Sequence, residues 1–173
     1  MKNLINDITE IARLGKIENK NEVLDSKEII QTAGNMAIGR FREQKAKLLI
    51  GKKLPIIFGD KMRLIQVFEN LIDNAVKYMG SQQDPFVQVT SKVSPDYFEF
   101  FIRDNGSGMD AQALEKLFTP FQRFHSNVEG TGLGLYMIKK IIDAHNGRIS
   151  AQSEGKGKGT TFIVKLPKAE VTA

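Results

Sequence analysis

The segment GTGLGLYMIKKIIDAHNG, residues 130–147, joins two halves that do not obviously belong together. Gly130, Gly132 and Gly134 alternate, and an apolar helical pattern then runs from about Leu133 to Asn146 and stops at Gly147. Glycine is about 1 kcal/mol worse than alanine inside a helix. Glycines at the mouth of a helix therefore mean that something lies close to that backbone. The first turn of a helix also leaves N–H groups unpaired at the positive end of its dipole, which suits an anion. Two common glycine-rich turns do not fit. A dinucleotide fingerprint follows directly on a strand, whereas this segment follows the polar, aperiodic stretch TPFQRFHSNVEGTG. The nucleotidase phosphate loop ends in Gly-Lys-Ser or Gly-Lys-Thr, which is absent. A phosphate cradle of a third kind remains.

Outward from this segment, the chain reads as alternating elements. Residues 4–14 place Leu4, Ile5, Ile8, Ile11, Ala12 and Leu14 at helical spacing, with Gly15 as a stop. The polar GKIENKN follows, and then a helix capped by Asp25 or Ser26 and running to about Arg42. KAKLLIG and LPIIFGD read as short strands, and Asp60 caps a long helix that ends at Gly80. FVQVTSKV and YFEFFIRDNG read as paired strands, AQALEKLF as a short helix, and RISAQSE with GTTFIVKLP as a closing hairpin around GKGKG. Antiparallel hairpins segregated from helices predict an α+β fold with about three helices covering one face of the sheet.

Composition sets limits. The chain has 173 residues, 41% of them hydrophobic, which suits one domain with a real core. No apolar run reaches the length of a membrane span, and the N-terminus lacks the form of a signal peptide. There is no cysteine, which fits a cytoplasmic setting, and a zinc site on the two histidines His125 and His145 is not expected. The net charge is +5, with six cations between residues 40 and 53 against one Glu. A solvated surface accounts for them. Nucleic-acid binding would need a reader motif as well, and none is present.

The long helix carries the next chemistry. Asn70, Asn74, Lys77 and Tyr78 fall at i, i+4, i+7 and i+8 on one face, beside the core set Phe68, Leu71, Ile72, Ala75 and Met79. A polar stripe is most often plain solvent exposure, but two asparagines one turn apart are poor helix formers. Their neutral carbonyl oxygens suit a hard cation when phosphates supply the charge. Lys77 is a point charge for phosphate and Tyr78 a flat ring for a base. In RDNGSGMD, Asp104 ends a strand, and the turn Asn105–Gly108 lets the backbone approach a ligand. Taken alone, that turn also reads as an ordinary strand-to-helix connection with Asp110 as the N-cap.

Together, ENLIDNAVKY, DNGSGM, LFTPFQRF and GTGLGL, in that order, resemble the N box, first glycine box, F box and second glycine box of sensor histidine kinases. These belong to the ATPase superfamily shared with gyrase, heat-shock chaperone ATPases and mismatch-repair ATPases. Each box alone is weak, and four in order across nearly the whole chain are specific. The resemblance implies a two-layer α/β sandwich of the Bergerat type, with a mixed, mostly antiparallel sheet and the nucleotide between its helices beneath a mobile lid. It implies Asn74 as magnesium ligand with Asn70 near phosphates and metal, Lys77 and Arg123 on phosphate, and Tyr78 against adenine. Asp104 would bind the adenine amino group, with Gly106 and Gly108 giving close approach. Phe118, Phe121 and Phe124 would anchor the lid, with Phe121 in the nucleotide site, and Gly130, Thr131, Gly132, Leu133 and Gly134 would hold the phosphates.

The resemblance also implies a reaction. Hydrolysing members carry a glutamate four residues before the magnesium asparagine, and here that slot is Asn70, which cannot act as a base. Glu69 lies about 100° round the helix and either helps to polarise solvent or, the favoured reading, is a surface residue. Asn70, Lys77 and Arg123 are then the catalytic set, transferring the γ-phosphoryl of ATP to a histidine. Neither His125 in the lid nor His145 at a helix end has an acceptor's context. The N-terminal helix resembles the end of the second helix of a kinase dimerisation hairpin. The implied layout is residues 1–16 as hairpin remnant, 17–22 as linker, 23–167 as catalytic domain and 168–173 as tail. The implied cofactors are ATP and Mg2+. The implied partners are the histidine-bearing dimerisation domain of a homodimeric parent and a response-regulator receiver domain, with no nucleic acid and no direct membrane contact. Two rivals are a serine kinase of the same superfamily acting on an anti-anti-sigma protein and a non-enzymatic nucleotide-binding module. The remnant helix and the PFQR stretch argue against the first, and intact Asn74, Asp104 and lid glycines against the second.

Overall fold

The computed structural model describes residues 5, 6, 8, 9, 11, 12, 20–123 and 130–168. Leu4, Leu14 and Gly15, the lid residues Phe124 and His125, and the tail from residue 169 lie outside these described residues. The described residues near the N-terminus are helical, and Ile5 and Ile8 stand exposed on them.

Strand β1 (Glu22–Asp25) runs directly into helix α1 (Ser26–Met36), where Asp25 is the N-cap and accepts from the Lys27 N–H. The sequence reading misses β1. Only Leu24 of its four residues is buried, so no alternation is visible, and its partner β3 (Ile56–Gly59) lies some thirty residues on. The sequence also predicts one helix to Arg42, but the structure breaks it at Ala37 and resumes as α2 (Ile38–Glu43). The Ala37 N–H bonds to the Gly34 carbonyl three residues back, which tightens the end of α1, and the weak helix formers Gly34 and Asn35 make that inexpensive. Phe41 on α2 is buried as a result.

The main sheet has the order β2-β4-β5-β7-β6, from β2 (Lys47–Ile50), β4 (Phe86–Val93), β5 (Tyr97–Asp104), β6 (Arg148–Gln152) and β7 (Thr161–Pro167). The β2–β4 pair is parallel and the rest antiparallel. Val87, Val89, Phe100, Ile102, Phe162, Val164 and Leu166 form its inner face, and helices α1, α3 (Lys61–Lys77) and α5 (Gly134–Ala144) cover that face, with α3 in the middle. The expected two-layer α/β sandwich is the one observed. Phe68 of α3 meets Phe100 of β5 edge to face, with ring centroids 5.3 Å apart. Each such buried side chain contributes roughly 1.5–3 kcal/mol. Exposed pairs such as Lys139–Asp143 contribute about 1 kcal/mol or less, so the layer interface decides the fold. Arg42, Lys45, Lys47, Lys52 and Lys53 of the basic stretch are solvated, while Arg40 pairs with Asp73 at 2.6 Å.

One polar contact sets the two ends of the helical layer. Asp60 caps α3 by accepting from the Arg63 N–H at 3.1 Å, and its own N–H donates to His145 Nε2 at 3.0 Å. His145 Nδ1 lies 2.8 Å from the Ile141 carbonyl, so the ring is the neutral Nδ1–H tautomer that donates there. The ring thus caps a carbonyl of the last turn of α5 and also pins α5 to the start of α3. His145→Ala should destabilise the domain by about 1–3 kcal/mol, because a part-buried N–H loses its acceptor. A lower urea midpoint at unchanged slope is the expected result, and an unmoved midpoint would make the contact incidental.

Candidate functional site

Three chain segments meet at the C-terminal half of α3. The first is α3 itself, whose apolar stripe Phe68, Leu71, Ile72, Ala75 is buried and whose polar stripe is left at the rim. Asn70, Asn74, Lys77 and Tyr78 are all half-buried there. The Asn74 amide NH2 donates to Asn70 Oδ1 at 3.1 Å, which leaves the Asn74 carbonyl oxygen for another partner. Lys77 Nζ sits 5.6 Å from the centre of the Tyr78 ring. The Tyr78 hydroxyl is pushed above its ordinary range, chiefly by burial, against the opposing charge of Arg123 and with a smaller push from Asp73. Arg123 is thus within electrostatic reach of α3.

The second segment is the turn after β5. Asp104 is 6% exposed, and its Oδ1 accepts from the Gly106 N–H at 2.8 Å and the Thr160 N–H at 3.2 Å. Burial pushes its carboxyl up to about 6, and the two backbone donors only partly oppose that. The turn is not loose. Asn105 Oδ1 accepts from the Phe86 N–H and its NH2 donates to the Asp84 carbonyl, both at 2.9 Å. The Ser107 N–H donates to the Tyr78 carbonyl at 2.9 Å, so the turn is bound to the end of α3. Gly108 has φ +65°, and any Cβ there would strike the Gly155 carbonyl. What approaches Gly108 most closely is therefore this chain's own β6–β7 loop, a different reason for glycine from the one read in the sequence.

That loop is the part sequence reasoning missed. GKGKG reads as a plain hairpin connection, yet Gly155, Gly157 and Gly159 all have positive φ and the loop wraps the Asp104 turn. The Gly157 and Gly159 N–H groups donate to the Ser107 and Gly106 carbonyls. The signal was present in three alternating glycines followed by Thr160, a pattern stronger than a two-strand turn needs.

The third segment is the alternating-glycine stretch. A Cβ on Gly130 would lie 3.2 Å from Lys77 Nζ, and one on Gly134 3.1 Å from the Asn70 side-chain amide. Gly132 has φ +75° and lies against the backbone of Phe121 and Gln122, and its carbonyl accepts from the Phe121 N–H at 2.9 Å. The stretch thus ties both ends of the lid together and lays its backbone along the polar face of α3. Leu133 is 1% exposed and offers no side-chain cap to the first N–H groups of α5. Thr131 is half-buried between its glycine neighbours.

Two expectations need correction. Phe118 packs against the core as a lid anchor should, but Phe121 is 61% exposed with φ +65°, so it anchors nothing among the described residues. The backbone bond to Gly132 holds it in that strained turn instead. Glu69 is not a plain surface residue either. It is half-buried, its carboxyl is raised mainly by burial and then by Asp73, and Arg40 of α2 opposes the shift. Beside the site, a cleft of about 590 Å³ opens between the Asp104 turn, α4 (Ala111–Lys116) and the start of the lid. Gly108, Met109, Lys116, Arg123 and Lys156 help to line it, and the polar stripe of α3 does not.

A buried carboxyl, a half-buried ring, a lysine and a glycine-rich helix N-terminus thus lie at one end of the helical layer. The family model described as histidine kinase-, DNA gyrase B-, and HSP90-like ATPase matches residues 59–170, and the chain belongs to that family. Within it, the chain is similar to the catalytic domains of sensor histidine kinases. The methanogenesis regulatory histidine kinase FilI of Methanothrix harundinacea is 35% identical over 167 residues, which is 96% of this chain and 19% of FilI. The chain therefore spans about a fifth of that relative. Full-length ShkA, solved with AMPPNP, superposes with a TM-score of 0.83 at 27% identity over 98% of this chain and 36% of ShkA. The nucleotide-free catalytic domain of the histidine kinase ThkA gives a TM-score of 0.73 at 25% identity over 87% of this chain and 99% of that one. ThkA has also been solved in complex with the response regulator protein TrrA.

The Asp104 environment makes a pH prediction. Its folded pKa of about 6 lies above the ordinary 3.8. The folded state therefore holds the proton more tightly than the unfolded chain. This contribution is fully present below about pH 4 and is lost as pH rises through about 6. The loss is on the order of 2–3 kcal/mol. Asp104→Asn keeps both N–H partners and removes the charge. Stability curves of the two proteins without nucleotide should converge at low pH and separate above pH 4, with the variant the more stable. Parallel curves would mean that the carboxylate is not desolvated.

Proposed function

We propose that the domain binds ATP with magnesium and transfers the γ-phosphoryl group to a histidine on a dimerisation domain. In this reading residues 1–16 belong to the second helix of that domain's hairpin, 17–22 to a linker, 23–167 to the catalytic unit and 168–173 to a tail. A receiver domain is the downstream partner, the parent is a homodimer, and the reaction takes place in the cytoplasm. Among the described residues no helix is long and apolar enough to cross a membrane.

The observation that carries the reading is position 70. Hydrolysing relatives use a glutamate there to activate water, and this chain presents an amide packed against Gly134. The adjacent carboxylate, Glu69, is electrostatically coupled to Arg40 and Asp73. No base is offered to water at that slot, so the chemistry left is positioning and charge neutralisation. Asp104 accepts from the adenine amino group, and Tyr78 packs on the ring. Gly106 and Gly108 hold the turn beneath it. Lys77, Arg123 and the backbone from Gly130 to Gly134, including Thr131 and Leu133, take the phosphates.

The donor chemistry fits magnesium. Among the described residues no cluster of three or more acidic, histidine or cysteine side chains exists that could hold a metal alone. A cation here has to share its charge with phosphates, and neutral amide oxygens at Asn74 and Asn70 suit that sharing. When bound, the metal neutralises charge on the phosphate oxygens. Asn74→Asp should therefore change ATP affinity by a different factor with magnesium than without it. Equal losses under both conditions would assign Asn74 a structural role.

The acceptor histidine supplies the decisive experiment. His145 is engaged at both ring nitrogens by Asp60 and Ile141, and His125 lies outside the described residues. On incubation with γ-labelled ATP the chain should bind nucleotide yet remain unlabelled. A separate hairpin fragment should take up label in trans, weakly, because the effective concentration of a tether is missing. Acid-labile label on His125 or His145 of the lone chain would overturn the reading.

A further inference from the structure

We infer that Ser153 is a positioning residue for recognition of the adenine amino group, acting through the β6–β7 loop. The inference rests on Asp104 being the acceptor for that group. Ser153 follows β6, outside every motif that marks the nucleotide site, and its hydroxyl joins two pieces of chain. Ser153 Oγ donates to the Gly159 carbonyl at 2.7 Å and accepts from the Met109 N–H at 3.0 Å. The Gly155 N–H lies 3.3 Å from the same oxygen. One hydroxyl thus clamps the loop at both of its ends and fastens it to the residue after the glycine turn.

The clamp bears on Asp104 through short covalent links. Gly159 precedes Thr160, whose N–H is one of the two donors to Asp104 Oδ1. The Gly159 N–H also holds the Gly106 carbonyl, and Gly106 supplies the other donor. Met109 follows Gly108, the glycine that the Gly155 carbonyl crowds. Removing the hydroxyl leaves the Gly159 carbonyl and the Met109 and Gly155 N–H groups without that partner, and the loop is then held to the turn by the Gly157 and Gly159 N–H groups without the clamp. The Thr160 and Gly106 donors to Asp104 Oδ1 are then less firmly placed, and with them the direction of its second oxygen. Ser153 itself need touch no ligand.

This separates adenine recognition from general affinity. Inosine diphosphate carries a carbonyl and an N1–H where adenosine diphosphate carries the amine and a bare N1, so the ratio of their affinities reads the contacts to that edge of the base, with the Asp104→Asn protein as the reference for the Asp104 contact. Ser153→Ala should lower the preference for adenosine diphosphate by roughly five- to tenfold, the effect of one misdirected hydrogen bond. Affinity for inosine diphosphate should stay nearly constant. Ser153→Thr retains a hydroxyl at a half-exposed position and should restore the preference. Lys158→Ala, an exposed change on the same loop, should leave it unaltered. Asp104→Asn should abolish the preference outright. A Ser153→Ala protein that loses both nucleotides equally, or neither, while Asp104→Asn loses the preference, overturns the role of Ser153 and spares that of Asp104. An Asp104→Asn protein that keeps the preference overturns both. Should Ser153→Ala not fold, a Ser153→Thr protein that discriminates no better than Asp104→Asn overturns the inference equally.

Discussion

A carboxylate buried to 6% exposure at the end of β5 is the constraint on which the site depends. Burying a charge is costly unless polar groups surround it. Here the compensation comes from backbone N–H groups on two separate stretches, Gly106 and Thr160. Neither reaches Asp104 unless the glycine turn and the β6–β7 loop are both folded back onto the strand. The glycines of those loops, Gly108 above all, follow from this need. The compensation is incomplete, since the carboxyl remains raised to about 6.

The same logic orders the other half of the site. Helix α3 is held by the burial of its apolar stripe between α1, α5 and the sheet, which leaves its polar stripe no freedom to turn. The alternating glycines then bring a second backbone along that stripe, Gly130 at Lys77 and Gly134 at Asn70. Phe121 accepts a left-handed backbone so that its N–H can close the lid onto Gly132. Phe118, three residues earlier, packs against the core, so the chain enters this junction from an apolar contact and leaves it through a strained turn.

His145 shows how one residue type divides between roles. A histidine in a kinase invites a reading as phosphoryl acceptor. Its ring instead bridges the cap of α3 and the last turn of α5, a structural use of both nitrogens. That bridge fixes the relative position of the two helices that carry Asn70, Asn74 and Gly134. It therefore serves the site from the far end of the layer without touching a ligand.

Local pattern alone was enough for the long helix and its cap at Asp60, the β4–β5 and β6–β7 hairpins, and the four motifs with their order. Those features rest on periodicity and on residue types whose chemistry is visible at short range. Asn70, Asn74, Lys77, Tyr78, Asp104 and the alternating glycines were each visible as candidates, and it was the resemblance to the four boxes that joined them into a group. Tertiary structure alone decided the rest. The pairing of β1 with β3 and the coupling of Glu69 to Arg40 depend on partners distant in sequence. The loop from Ser153 to Thr160 is the clearest case. Its glycines are legible as a turn, but that the turn closes on Asp104 is a fact of strand order, because β7 lies beside β5. Periodicity reports which face of an element is buried, and only the assembled sheet determines which loops then meet at its end.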